Sequence, residues 1–152
     1  MAETSPALSE QLLLHLQKEK IVLLATIDAE TGAPTMNAIS WVYAVNPTLV
    51  RFAVDQRSRL LANIRNNPQV VLAFFAEGAV NTIHGKASIW TEALEGVPIK
   101  LACVDVQLEA VRNALFYGSR IIIEPEFEKT YDQRAAAKLD GQVFAAMKKS
   151  LV

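Results

Sequence analysis

The chain has 152 residues, of which 51% are hydrophobic and 20% are charged, and its formal net charge at pH 7 is −1. This length suits one domain with a buried core, the composition excludes a disordered chain, and the near-neutral charge gives no overall basic field to attract nucleic acid or a membrane. The single cysteine, Cys103, excludes a disulfide framework and a cysteine-rich zinc site, and we expect it to be a small buried hydrophobic residue.

The N-terminal third is predicted to form a helix followed by three strands. Ser5 and Pro6 suit the cap and the first turn of a helix. Four leucines share one face of this helix: Leu8, Leu12, Leu13 and Leu16. Strand-like runs follow at 21–27, 35–45 and 49–54, separated by turn-forming residues. Because these turns are short, we expect the three strands to form an antiparallel meander.

A short helix and two longer strands are predicted next. The helix covers 57–66 and ends at Asn67-Pro68. The run 69–76 is nearly all apolar, which indicates a strand buried on both faces. The run 80–90 contains Gly85, which favours a bulge or a close approach of two backbones.

The last third is predicted to contain a half-exposed strand and a helix. The strand covers 99–112, and these apolar side chains share its inner face: Ala102, Val104, Val106, Leu108 and Ala110. Residues 120–124 are a candidate for one more short strand. Thr130 and Gln133 fit a capping box, and a helix then runs to about Lys149. The elements together predict a mainly β protein with flanking helices, in which about six strands coil into a barrel.

A cluster of arginines surrounds the turn after the third strand. Arg51, Arg57, Arg59 and Arg65 fall within one short window, and Ser58 stands where the helix is expected to begin. Guanidinium groups, a hydroxyl and the N-terminus of a helix together bind phosphate well. Solvated turn charges beside an ordinary serine cap would give the same pattern, so the residues alone leave both interpretations open.

Several short motifs, in their order along the chain, carry a resemblance to a known family. They are Leu24-Ala25-Thr26-Ile27-Asp28, Gly32-Ala33-Pro34, Trp41-Val42-Tyr43, and Ser58-Arg59 with Asn66-Asn67-Pro68-Gln69-Val70. The chain resembles the flavin-binding split barrels of the pyridoxamine 5′-phosphate oxidase-like family over residues 8–148. Its last third, with Phe116-Tyr117-Gly118 and Lys129-Thr130-Tyr131-Asp132, is similar to short bacterial members without an assigned substrate.

The resemblance implies a six-stranded antiparallel split β-barrel of Greek-key type that forms a homodimer, with FMN in the cleft between protomers. The matching cofactor-binding positions are Arg57, Ser58 and Arg59 at the phosphate, Asn37, Ala38, Ile39 and Ser40 along the ring, and Val54 flanking it. His84 corresponds to a position that faces the flavin region in related barrels. A lone histidine on a strand also fits a purely structural role.

The sequence departs from the oxidases at two charged positions. Leu60 stands where they carry a lysine, and Asn37 stands where they carry an arginine. The chain also ends in a helix, whereas the oxidases end in a substrate-binding segment with tryptophan and arginine. We therefore do not expect oxidation of pyridoxamine 5′-phosphate itself.

The leading hypothesis is a cytoplasmic FMN-dependent oxidoreductase of unassigned substrate, in which the flavin carries hydride or electron transfer. The catalytic residues stay unknown, and we expect no metal, nucleic-acid or membrane partner. One alternative is a non-catalytic, stress-related flavin carrier. Another is a barrel that binds a different anionic ligand, such as haem.

Overall fold

The structure is a computed structural model that describes residues 4–149; the outermost residues of the predicted domain, 1–3 and 150–152, lie outside the described part. Within that part the chain forms eight strands and three helices. In chain order they are β1 (Thr4–Ser5), α1 (Glu10–His15), β2 (Val22–Ile27), β3 (Pro34–Ile39), β4 (Val42–Asn46), β5 (Leu49–Asp55), α2 (Arg59–Asn66), β6 (Gln69–Ala76), β7 (Ala79–Thr91), β8 (Leu101–Asn113) and α3 (Gln133–Lys148).

The strands form one antiparallel sheet whose two ends are close in sequence. The order is β3-β2-β6-β7-β8-β5-β4, and β1 pairs with the last residues of β8. Residues 40–41 alone join the terminal strands β3 and β4. The sheet therefore curls so that its two end strands come together at this bend, as in a barrel that is left open between them. This confirms the prediction of a mainly β split barrel with flanking helices, although the described residues form eight strands and not the six predicted.

The prediction of a single strand over 35–45 is wrong, because the chain bends at residues 40–41. The part before the bend, β3, pairs with β2 from Val22↔Ile39 to Ile27↔Pro34. The part after the bend, β4, pairs with β5. The predicted meander therefore separates into two hairpins at opposite ends of the sheet order. The bend is concealed in the sequence because Ile39 before it and Val42 and Ala44 after it all pack on the barrel core.

The long β7–β8 hairpin contains the irregularity predicted near Gly85. His84 pairs with Ala110 and Gly85 pairs with Leu108, so Glu109 is the additional residue of a β-bulge. The bulge changes the phase of the alternation along the rest of β8.

Two consequences of this bulge are visible in the packing. A Cβ atom at Gly85 would lie 2.5 Å from the carbonyl oxygen of Gln107, so only glycine allows the strands to approach this closely. Beyond the bulge Val111 is buried and Ala110 is only half-buried. The prediction that Ala110 shares the inner face is therefore wrong.

Two predicted helix caps and one predicted short strand need correction. The first helix is capped by Ser9 rather than Ser5, and the last helix is capped by Asp132 rather than Thr130. Both side chains accept backbone N–H groups of the helix that follows, which satisfies donors that have no partner within the helix. Residues 120–124 form no strand.

Two apolar clusters stabilise the fold. The larger one fills the barrel, and its largest fully buried side chains include Phe52, Phe74, Leu24, Leu72 and Ile83. The second lies outside the barrel, where Val143 and Met147 of α3 belong to the same cluster as Ala53 and Cys103. Cys103 is fully buried, and burial raises the pKa of its thiol to about 12. Its prediction as a small buried hydrophobic residue is confirmed.

Candidate functional site

A small polar pocket lies between the start of α2 and the β2–β3 hairpin, with a volume of about 210 Å³. Its lining residues are Asp28, Thr35, Asn37, Ser58, Arg59, Leu60 and Asn63. Ser58 is the N-cap of α2, and its Oγ accepts the backbone N–H of Leu60 at 3.2 Å. The pocket therefore lies at the positive end of the α2 dipole. Three of the predicted site residues meet here: Asn37, Ser58 and Arg59.

A carboxylate holds Arg59 inside this pocket. Nη2 of Arg59 lies 2.6 Å from Oδ1 of Asp28. Hydrogen bonds from the backbone N–H of Thr31 and from Arg59 lower the pKa of Asp28 from 3.8 to about 2. The contribution of Asp28 to stability is therefore complete above pH 3.8 and is lost as the pH falls through about 2. At neutral pH an incoming anion has to compete with Asp28 for Arg59.

Arg57 does not reach the polar pocket. Its side chain is 91% exposed, and its Nε lies 3.1 Å from Oδ1 of Asp55. This hydrogen bond raises the pKa of Arg57 and lowers that of Asp55. Arg57 precedes the N-cap of α2 whereas Arg59 is the first helical residue, so the two side chains diverge. The structure therefore does not bring Arg57 together with Ser58 and Arg59 in this pocket.

A larger cavity, of about 440 Å³, lies beside the end of β3. Its lining residues are Ile21, Ala38, Ile39, Ser40, Trp41, Ala53, Phe127, Lys129 and Tyr131. It contains three of the four residues predicted to lie along the ring, Ala38, Ile39 and Ser40. The fourth, Asn37, precedes them and lines the polar pocket. The two cavities therefore adjoin along β3.

A network of charged and polar side chains borders the larger cavity, and its members that line the cavity are Ser40, Trp41 and Lys129. Nζ of Lys129 lies 2.9 Å from Oε2 of Glu19 and 2.8 Å from Oδ1 of Asp140. Ser40 donates its hydroxyl to Glu19 at 2.7 Å, and Nε1 of Trp41 donates to Asp140 at 2.8 Å. Partial burial acts to lower the pKa of Lys129, but its hydrogen bonds to Asp140 and Glu19 outweigh burial and raise it. Lys129 is therefore a protonated link between two carboxylates.

Two predicted site residues lie away from both cavities. Val54 is buried in the barrel interior, and its neighbour Ala53 faces the larger cavity instead, as alternation along a strand requires. His84 lies on β7 between Val71 and Ala110 of the adjacent strands. Its Nε2 is buried and has no hydrogen-bond partner within residues 4–149. The structure therefore brings neither Val54 nor His84 to the candidate site.

Sequence analysis missed several residues that shape the site. Asn63 is buried on the inner face of α2, where its Nδ2 donates to Oγ1 of Thr26 at 3.0 Å and its Oδ1 accepts the N–H of Ala29 at 2.9 Å. The sequence could have indicated this role, because an amide side chain among the apolar positions of a short helix has to be hydrogen-bonded when it is buried. Asp28 and Lys129 gave no comparable signal, because their partners are distant in sequence.

Comparison with known families shows where the chain belongs. The family model described as pyridoxamine 5′-phosphate oxidase matches residues 8–101, more than half of the chain. The chain belongs to this family. Its fold is the FMN-binding split barrel of pyridoxamine 5′-phosphate oxidase-like proteins, and the family includes flavin-dependent oxidoreductases.

Solved structures of low sequence identity share the fold. A candidate pyridoxamine 5′-phosphate oxidase from Lactobacillus delbrueckii is 19% identical, with a TM-score of 0.59 over 70% of this chain and 94% of that chain. General Stress Protein 26 from Bacillus anthracis is 14% identical, with a TM-score of 0.57 over 68% and 92%. HupZ from Group A Streptococcus is 18% identical, with a TM-score of 0.54 over 72% and 94%. No curated protein gave a significant match.

None of the helices between residues 4 and 149 combines the length and the apolar character needed to span a bilayer.

Proposed function

We propose that this protein binds FMN, with the phosphate in the polar pocket and the ring in the larger cavity. The observation that carries the proposal is the position of both cavities along β3, with Asn37 in the first and Ser40 in the second. Three residues of extended chain span about 10 Å. This separation is comparable with the ribityl chain that joins the phosphate of FMN to its ring.

The donors of the polar pocket suit a phosphate. Ser58 offers a hydroxyl, Arg59 offers a guanidinium and Asn37 offers a side-chain amide, all beside the N-terminus of α2. Arg59 thus supplies a positive charge in a pocket where Leu60 replaces the lysine of the oxidases. Asp28 is the lining group that opposes an anion.

The edge of β3 suits the polar rim of a flavin ring. β3 is the last strand of the sheet order, and within residues 4–149 it pairs with β2 alone, so no other described strand pairs with the backbone N–H and C=O groups along its other side. Main-chain contacts from residues 38–40 would tolerate changes of side chain. Trp41 and Tyr131 add aromatic walls to the same cavity.

The proposed activity is that of a flavin-dependent oxidoreductase of unassigned substrate. Bound FMN would supply hydride or electron transfer. The chain would contribute anchoring through Ser58 and Arg59, alignment along β3, and a water-excluding wall from the segment 127–131. Lys129 keeps this segment in place through its two carboxylate partners.

We also propose that the protein is a homodimer with the flavin site at its interface. The outer faces of β2, β3 and β6 carry a continuous apolar surface beside the two cavities, formed by Leu23, Ala25, Met36, Ala38, Val71, Ala73 and Phe75. The irregular segment 114–127 adds exposed apolar side chains, including Phe116, Tyr117, Ile122 and Ile123. Apolar surfaces of this kind are typical of contacts between subunits.

The first test is the visible absorption spectrum of the purified protein, with chromatographic identification of the released cofactor and light scattering to measure the mass in solution. We expect a yellow dimer that releases FMN. Reduction by NADH or NADPH, followed by electron transfer to an added acceptor, would establish an oxidoreductase. Binding without turnover would favour a carrier, and failure to take up added FMN would contradict the proposal.

Replacing Asp28 by asparagine should tighten FMN binding about three- to fivefold, because it removes the negative charge that competes for Arg59. The amide oxygen of asparagine can still accept the N–H of Thr31 and preserve the turn. The measurement is FMN affinity by fluorescence quenching, with riboflavin, which lacks the phosphate, as the control ligand. Lowering the pH from about 8 to about 5 should not have the same effect, because the low pKa of Asp28 keeps it ionised. An unchanged FMN affinity would contradict this role of Asp28.

A further inference from the structure

The polar side chains that line the larger cavity already donate their hydrogen bonds to carboxylates. The hydroxyl of Ser40 donates to Glu19, and the indole N–H of Trp41 donates to Asp140. The ammonium of Lys129 contacts one oxygen of Glu19 and both oxygens of Asp140, at 2.8 to 2.9 Å. These three donors line the cavity, and an acceptor on a ligand would have to displace a carboxylate to reach them.

The network behind these lining donors has an excess of negative charge, on two carboxylates that do not themselves line the cavity. Two carboxylates, Glu19 and Asp140, surround one ammonium, that of Lys129, so the network carries a net charge of −1. A third cavity shares Ile21 and Phe127 with the larger one, and two of its lysines and two further glutamates balance one another: Lys18, Lys20, Glu124 and Glu126. The named ionisable side chains around these two cavities therefore sum to a net charge of −1, which opposes an anion in the larger cavity.

The rest of the cavity is apolar or aromatic. Its remaining side chains are Ile21, Ala38, Ile39, Ala53, Phe127 and the ring of Tyr131. Flat aromatic and aliphatic surfaces favour a planar ligand, and aromatic faces also attract cations.

We propose that the larger cavity selects planar cationic ligands over anionic ones, because the Glu19–Lys129–Asp140 network engages the donors that line the cavity and leaves a net negative charge directly behind them. This selectivity belongs to the cavity itself and does not require bound FMN. When the flavin ring occupies part of the cavity, the same network charge favours a cationic molecule as the one that reacts with the flavin. The chemical class is an amidine-, amine- or pyridinium-like planar molecule.

Three probes of one shape test the proposal. Benzamidine as its cation, neutral benzamide and anionic benzoate share a ring and differ in charge. Ligand-observed NMR titration of the flavin-free protein gives the three dissociation constants. We expect the cation to bind about tenfold more tightly than benzoate, with benzamide between them. Equal or tighter binding of benzoate, or no binding of any probe, would overturn the proposal.

Two variants change the charge of the network in opposite directions. The double variant Glu19→Gln with Asp140→Asn leaves Lys129 unneutralised and should reverse the preference toward benzoate. The variant Lys129→Met raises the negative charge and should widen the preference for the cation. The second variant keeps a test available if the first does not fold, which circular dichroism would show.

A matched control separates the local network from the charge of the whole protein. The double variant Glu10→Gln with Glu109→Gln removes two exposed carboxylates remote from the cavity, and should leave the order of the probes unchanged. A shift in this control equal to that of the network variant would overturn the proposal. Absence of FMN binding, read from the absorption spectrum, would contradict the proposed function alone, because the order of the probes is measured on flavin-free protein.

Discussion

Replacing Arg51 by methionine is expected to lower the free energy of unfolding by about 3–5 kcal/mol, as measured by urea denaturation. Arg51 is 1% exposed, and its Nε lies 2.7 Å from Oδ1 of Asp105. Its Nη1 donates to the carbonyl oxygens of Met147 and Lys149 at 2.9 and 3.1 Å, where α3 ends. The variant would leave a partly buried carboxylate without its partner and the end of α3 without donors.

The guanidinium of Arg51 also lies 3.8 Å from the ring centroid of Trp90, which adds a cation–π contact. We expect hydrogen exchange in α3 to accelerate more than exchange in the barrel strands, because the lost contacts join that helix to β5.

Arg65→Met provides the matched control for Arg51. Arg65 lies on α2, its side chain is 52% exposed, and it pairs with the exposed Glu92. Exposed ion pairs contribute about 0–1 kcal/mol, so this variant should unfold at nearly the same urea concentration as the unaltered protein. Equal losses of stability in the two variants would show that Arg51 has no special role in holding α3.

Local sequence patterns were sufficient for most strands of the barrel. The predicted run 69–76 coincides with β6, and the helix predicted over 57–66 contains α2 with Ser58 as its cap. In these segments the periodicity, the turn residues and the caps all indicate the same element. The bend at residues 40–41 was missed because side-chain alternation says where residues point, and not which strand they pair with.

Local sequence patterns could not predict the conformation of the segment 114–132. It contains no strand or helix, and ion pairs with residues near the end of α1 hold it. Lys20 pairs with Glu124 across 104 positions of sequence, and Glu19 pairs with Lys129 across 110. Contacts at such separations produce no periodic pattern in the sequence. The side chains around the larger cavity could therefore be found only from the folded chain.

The polar pocket likewise combines residues that local patterns predict with contacts that only the folded chain shows. Ser58 and Arg59 could be predicted because a strand end, a cap and a helix start are local signals. The restraint of Arg59 by Asp28 depends on the packing of the β2–β3 hairpin against α2, 31 positions away in sequence. Arg57 was assigned to the pocket because both arginines flank the cap, and only the structure shows that their side chains diverge.

Replacing Arg59 by alanine is expected to weaken FMN binding by about 1–2 kcal/mol, or roughly 5- to 30-fold in Kd. Arg59 supplies the guanidinium of the polar pocket, and charge-assisted hydrogen bonds to phosphate are among the strongest that side chains make. The loss stays below the full value of such a bond because Arg59 exchanges Asp28 for the phosphate when FMN binds. Fluorescence quenching titrations measure the effect.

Two controls make the Arg59 prediction specific. Arg57→Ala removes the same side chain two positions earlier, where it is 91% exposed and outside the pocket, and should leave the Kd of FMN within about twofold of the unaltered protein. Riboflavin should bind the Arg59→Ala variant as it binds the unaltered protein, since it has no phosphate to lose. An equal loss with riboflavin would mean that Arg59 acts on the ring or on the fold, and an equal loss in both arginine variants would place the phosphate outside this pocket.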